Sequence, residues 1–136
     1  MDETWYMNVE AIVYDKIKKK AKPVLETAYP TITFTSEEVL EVPSKFPCVE
    51  IRELQGVEQG MTLMNDDVTG YLSTFQVNVY SEKSKQIARD VMSEIALHFK
   101  HDCNFYMVAM PIHVNFDGIH RYTARFRRMI GGGDKL

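Results

Sequence analysis

Three things are scarce in this sequence, and each closes off a class of protein. No apolar run comes near the ~20 residues of a membrane-spanning helix, and acidic Asp2 and Glu3 stand where a secretion signal would be basic. The expectation is a protein made in the cytosol, with no membrane partner. Positive charge is not in surplus: 16 Lys and Arg against 19 Asp and Glu leave a formal net charge of −3. That balance argues against bulk attraction to nucleic acid, although a local basic patch stays open. Cysteine is limited to Cys48 and Cys103, far apart in the chain, which in a reducing compartment reads as two buried free thiols.

The motifs of catalysis are missing as well. There is no glycine-rich phosphate loop and no Gly-x-Ser-x-Gly elbow, and the run Gly131-Gly132-Gly133 has no helix after it. His98, His101 and Cys103 fall close together at a predicted helix end, but no fourth metal ligand is evident and Phe99 occupies the same turn. Histidines there suit the negative end of a helix dipole without any metal. Asp66 and Asp67 are neighbours in a loop, a poor platform for fixed acid–base geometry. The reading is a protein without catalytic residues, metal or cofactor.

What is present is ordinary globular material. An apolar fraction of 45% and a charged fraction of 26% suit a folded domain, and 136 residues fit one such domain. We expect a single α+β domain over residues 1–130 and a flexible C-terminal tail over 131–136, because three glycines offer nothing to pack. A helix is predicted from about Glu3 to Lys22, with Val9, Ile12, Val13 and Ile17 at helical spacing and Pro23 ending or kinking it. Lys18, Lys19 and Lys20 read as its solvated end. Strands are predicted at Thr31–Thr35 and Phe46–Leu54, the latter with Cys48 and Glu50 on one side and Val49 and Ile51 on the other.

The segment Gln55–Gly70 has three glycines and no clear period, and is longer than most connections in a compact domain. It carries Met61, Leu63 and Met64, which an inert loop has little reason to expose. They are either anchors for a partner or part of a longer hairpin that folds back on the sheet. A third strand, Tyr71–Tyr80, is followed by Ser81 as N-cap of a helix reaching about Lys100. Ile87, Val91, Ile95 and Phe99 are spaced by four, flanked by Ala88, Met92 and Ala96, which makes a clean amphipathic stripe.

The chain closes on a β-hairpin, Phe105–Asn115 and Ile119–Ile130, joined through Asn115-Phe116-Asp117-Gly118. A three-residue loop sets Val114 opposite His120, Ile112 opposite Tyr122, Met110 opposite Ala124 and Val108 opposite Phe126. A two-residue turn at Asp117-Gly118 is rejected here because it sets apolar residues against polar ones. In the chosen register one face is apolar and packs on the second helix, His113 and His120 lie on opposite faces, and Arg121, Arg125 and Arg127 project together. The arginine row admits three readings: a solvated face, a contact with acidic groups of a neighbouring subunit, or a contact with phosphate. The element order is α-β-β-β-α-β-β, a mainly antiparallel sheet packed against two helices.

That order resembles the tail terminator (tail completion, head–tail joining) proteins of long-tailed bacteriophages. The resemblance is carried by Phe46-Pro47-Cys48-Val49-Glu50-Ile51, by Phe75-Gln76-Val77-Asn78-Val79-Tyr80 running into the Ser81 helix, and by Tyr122-Thr123-Ala124-Arg125-Phe126. It implies a virion structural protein whose subunits form a ring, commonly a hexamer, at the head-proximal end of the tail tube. The implied partners are the tail tube protein and the head connector, with DNA passing through the channel without specific binding. On that view Arg121, Arg125 and Arg127 meet an acidic loop, Glu58, Asp66 and Asp67, at the subunit contact, and Met61, Leu63 and Met64 dock on tube or connector. The rival from another class is a nucleic-acid-binding module that uses the basic face with Tyr122 or a nearby aromatic for stacking.

Overall fold

The computed structural model describes residues 5–39, 43, 45–54, 62–64, 67–82, 84–131, 133–134 and 136. After a short 3-10 turn, Trp5–Asn8, comes helix α1, Val9–Ala28. Strands β1 (Thr33–Thr35), β2 (Cys48–Glu53), β3 (Thr62–Met64) and β4 (Asp67–Ser81) precede helix α2 (Lys85–His101). Strands β5 (Tyr106–Phe116) and β6 (Ile119–Gly131) close the chain. The fold is α+β as expected, with one further short strand, β3, inside the segment read as a loop.

The six strands form one sheet in the order β1-β2-β4-β6-β5, with β3 on β4. Among the described residues only β1 runs parallel to its neighbour, β2, and every other pairing is antiparallel. Gly70 pairs with Gly131 of β6 and with Thr62 of β3, so β3 lies on the β2 side of β4, beyond the end of β2. β4 is therefore the backbone of the sheet, and β1 and β5 are its two edges.

One face of the sheet carries the core. Val49 and Ile51, Phe75, Val77 and Val79, and Ala124 and Phe126 are fully buried on it against α1 and α2. α2 contributes Ala88, Val91, Met92, Ile95, Ala96 and Phe99, the stripe its spacing foretold. Each Val, Ile, Met or Phe side chain among them taken out of water contributes about 1.5–3 kcal/mol. Phe99 is the centre: it stacks on Phe126 at 4.6 Å and meets Phe105 edge-on at 5.4 Å.

Several boundaries differ from expectation for physical reasons. α1 continues through Pro23, because Val9, Val13, Ile17, Ala21 and Leu25 form one buried stripe at spacing four. Burying Leu25 holds the last turn in place despite the lost ladder donor, and Thr27 Oγ1 donates to the Pro23 carbonyl at 3.1 Å. The lysines at 18–20 thus lie mid-helix, and Ile12 is exposed. The cap of α2 is Ser84, whose hydroxyl accepts from the Ile87 N–H at 3.2 Å; Ser81 stays in the β4 ladder opposite His120. The peptide before Pro47 is cis, and β2 begins at Cys48, after the proline. Both cysteines are buried free thiols, with burial pushing each thiol's pKa up. At the chain end, Asp134 accepts from the Gly131 N–H at 2.7 Å and Leu136 packs against the core.

Candidate assembly interface

The closing hairpin turns in two residues, not three. Asp117 and Gly118 both take positive φ, 50° and 78°, and Phe116 pairs with Ile119. Two left-handed central residues make a type I′ turn, whose twist matches that of the flanking strands, and Asp-Gly is among its favoured sequences. The register rejected from the sequence is therefore the one observed: Val114 lies opposite Arg121, His113 opposite Tyr122 and Ile112 opposite Thr123. Two irregularities, between Met107 and Ala109 and between Ala109 and Ile112, then absorb extra residues of β5.

This register corrects what the hairpin presents. Tyr122, Ala124 and Phe126 of β6 pack on α2 as expected, but Val108, Met110, Ile112 and Val114 of β5 are exposed. The sequence reading matched apolar to apolar across the turn on the premise that β5 buries a face. β5 is instead the sheet edge, and Ile112 and Val114 share the face opposite the helices with Thr123 and Arg121. His113 and His120, expected on opposite faces, are a diagonal pair: Nε2 of one lies 2.9 Å from Nδ1 of the other. Partial burial, with the charges of Lys85 and His120, holds His113 below the usual histidine range.

The arginine row is real and lies on the face away from the helices. Arg125 Nε donates to Gln76 Oε1 at 3.1 Å and Arg127 Nε to Thr74 Oγ1 at 3.2 Å, each across the β4–β6 ladder. Among the described residues neither has a carboxylate within ion-pair distance. Arg121 differs from them. It interacts with Tyr80, whose hydroxyl donates to Glu50 at 3.2 Å, and Glu50, itself buried, accepts from Arg52 at 2.6 Å. Burial and the Glu50 carboxylate push the Tyr80 hydroxyl up to about 12, against the pull of Arg121. Arg128 points the other way and donates to the Cys103 carbonyl at 2.7 Å.

Of the acidic and apolar partners expected for this row, Glu58, Asp66 and Met61 lie outside the described residues. Asp67 opens β4 opposite Met64, and Leu63 pairs with Val68, so these three belong to a hairpin. Tyr122 is buried on the helix face, away from the arginines; the aromatics beside them are buried Tyr80, opposite Arg121, and half-exposed Tyr106, opposite Arg127. His98, at the end of α2, has both ring nitrogens engaged, by Glu94 at 3.0 Å and Asp102 at 2.5 Å. The feature missed from sequence is the apolar β5 edge; the Asp117-Gly118 dipeptide signalled its register, but no local signal marks a strand as an edge.

A comparison of the sequence with protein families and with curated proteins finds no match. Among solved structures, a chain from the "Virion of native gene transfer agent (GTA) particle" matches with a TM-score of 0.59. The match covers 90% of this chain and 93% of that one. The fold is shared with a chain of that particle. At 15% identity the likeness to the GTA chain is one of architecture, and it spans both helices and the sheet rather than a fragment of them.

Proposed function

We propose that the chain is a structural subunit of a phage-like virion, a tail terminator that closes into a ring, with six copies as the expected number. The ring caps the tail tube, docks on the head connector and leaves a channel through which DNA passes without specific contact. The observation that carries this reading is the end-to-end fold likeness to a chain of the GTA particle, together with the order of elements described above. Function is then assembly and not chemistry. Arg121, Arg125 and Arg127 lie at the subunit contact, opposite acidic residues of the next copy drawn from Glu58, Asp66 and Asp67. Met61, Leu63 and Met64 serve the contact with tube or connector.

Size-exclusion chromatography with light scattering tests the ring. The expected species is a closed oligomer, alone or once tail tube protein is added; a strict monomer at high concentration under both conditions overturns the reading. Reversing charge at Arg125 and Arg127 to Glu should weaken assembly, and unchanged assembly removes them from the contact. Steeply salt-dependent DNA binding in the absence of assembly would favour the nucleic-acid module instead.

A further inference from the structure

The β5 edge is built unlike an edge meant for water. Free edges are usually short, charged or covered, yet β5 runs eleven residues and exposes Tyr106, Val108, Met110, Ile112 and Val114. Met110 is 76% exposed and Ile112 62%. Beside the same strand, on the helix side, lies a groove of about 310 Å³ lined by Met92, Ala96, Leu97, Met107, Pro111 and Tyr122 among others. Apolar surface therefore wraps both sides of this edge. Pro111 supplies no N–H, and the two register shifts interrupt the strand, so a partner cannot extend the sheet by a continuous ladder. Recognition here has to be by side-chain packing.

A different surface offers the complement. Where α1 leads into β1 and β4 leads into α2 lies a second groove, of about 360 Å³, lined by Ala28, Tyr29, Pro30, Phe46, Pro47 and Ile87 among others. Lys45 and Glu82, also in its lining, offset each other in charge. Charge offers a second match, with Glu37 and Glu38 as acidic groups beside those named above. Arg125 and Arg127 flank β5, while Glu37 and Glu38 follow β1 and are exposed, and Val39 after them packs on the Cys48–Tyr80 cluster of the face away from the helices.

Resting on the ring reading above, we propose that the β5 edge of one copy docks into the groove between the α1–β1 and β4–α2 junctions of the next, with Met110 and Ile112 as the inserted side chains. The two surfaces are different patches of one subunit, so the contact is head-to-tail and can repeat around a closed ring.

Two variants test this. Met110→Asp with Ile112→Asp spoils the edge; Ala28→Arg fills the groove. All three positions are exposed, and thermal melts matching wild type establish that each variant is folded. Should the double Asp variant melt early, Met110→Ser with Ile112→Thr replaces it. Each variant alone should stay monomeric, with association weakened at least ~tenfold. Mixed in equal amounts they should form a dimer and stop there, because the pair retains one intact edge and one intact groove. Self-association of the Ala28→Arg protein by itself would mean β5 meets β5, and overturns the proposal. Wild-type-like rings from both variants overturn it while leaving the ring reading standing, as does loss of tube-protein binding alone. A wild type that stays monomeric at high concentration, with and without tube protein, removes the ring reading and this inference together.

Discussion

Glu53 shows how a single partly buried carboxyl ties the helix layer to the sheet. Its Oε2 accepts from the Tyr71 hydroxyl and from Ser73 Oγ, both at 2.6 Å, while its own N–H donates to Glu10 of α1 at 2.8 Å. Burial pushes the Glu53 pKa above the usual carboxylate range; the bonds from Ser73 and Tyr71 oppose this, and the Glu10 charge adds to it. The folded chain thus holds the Glu53 proton to higher pH than the unfolded chain does. This group's contribution to stability is fully present below the ordinary carboxylate pKa and is lost as pH rises through the raised value. Gln at this position still accepts from Tyr71 and Ser73 but does not titrate. Glu53→Gln should therefore flatten the decline in stability between acidic and neutral pH, read by urea unfolding across that range. Parallel curves for the two proteins would exclude Glu53 as the source.

Among elements, the hairpin turn decides the most with the fewest atoms. A Cβ added at Gly118 would meet nothing within 4 Å, so a substitution there is penalised by backbone conformation alone. Gly118→Ala should cost about 1–2 kcal/mol, the price of a left-handed residue with a side chain. Asp117→Asn should be tolerated, since Asn suits the first position of the same turn. Urea melts check both; equal stability of the Gly118→Ala protein would be incompatible with a positive φ at that residue. The turn also explains why β5 looks as it does. Once Phe116 pairs with Ile119, every residue from Ile112 to Asn115 is committed to the face opposite the one that apolar matching assigned.

For the whole molecule, the two edges of the sheet are unlike each other, and that asymmetry is what a head-to-tail assembly needs. If Arg125 and Arg127 meet acidic groups of the next copy, the contact is screened by salt, while apolar packing along β5 is not. If the proposed ring forms, raising ionic strength should loosen the wild-type assembly without abolishing it. An Arg125→Gln, Arg127→Gln protein should respond to salt much less. Sedimentation across a salt series reads both, and an equal response would place the salt-sensitive groups elsewhere.

Much of this protein was legible in its residues. The spacing of Ala88 to Phe99, the alternation of Phe75, Val77 and Val79, and the opposed sides of Cys48–Glu50 and Val49–Ile51 gave helix, strands and core face, because period and burial are local consequences of side-chain direction. The arginine row was legible for the same reason. Partner and edge were not, since sheet order is a long-range choice made by the packing of the whole chain. The sequence by itself determined an α+β domain in which the apolar stripe of α2 meets the Tyr122–Phe126 face of β6. Only the tertiary structure decided that β5 is an edge and that α1 runs through Pro23 to bury Leu25. The type I′ turn at Asp117-Gly118 belongs with them: it settles which face a strand shows, and the apolar pattern of an edge strand does not report whether that face meets the core or a second molecule.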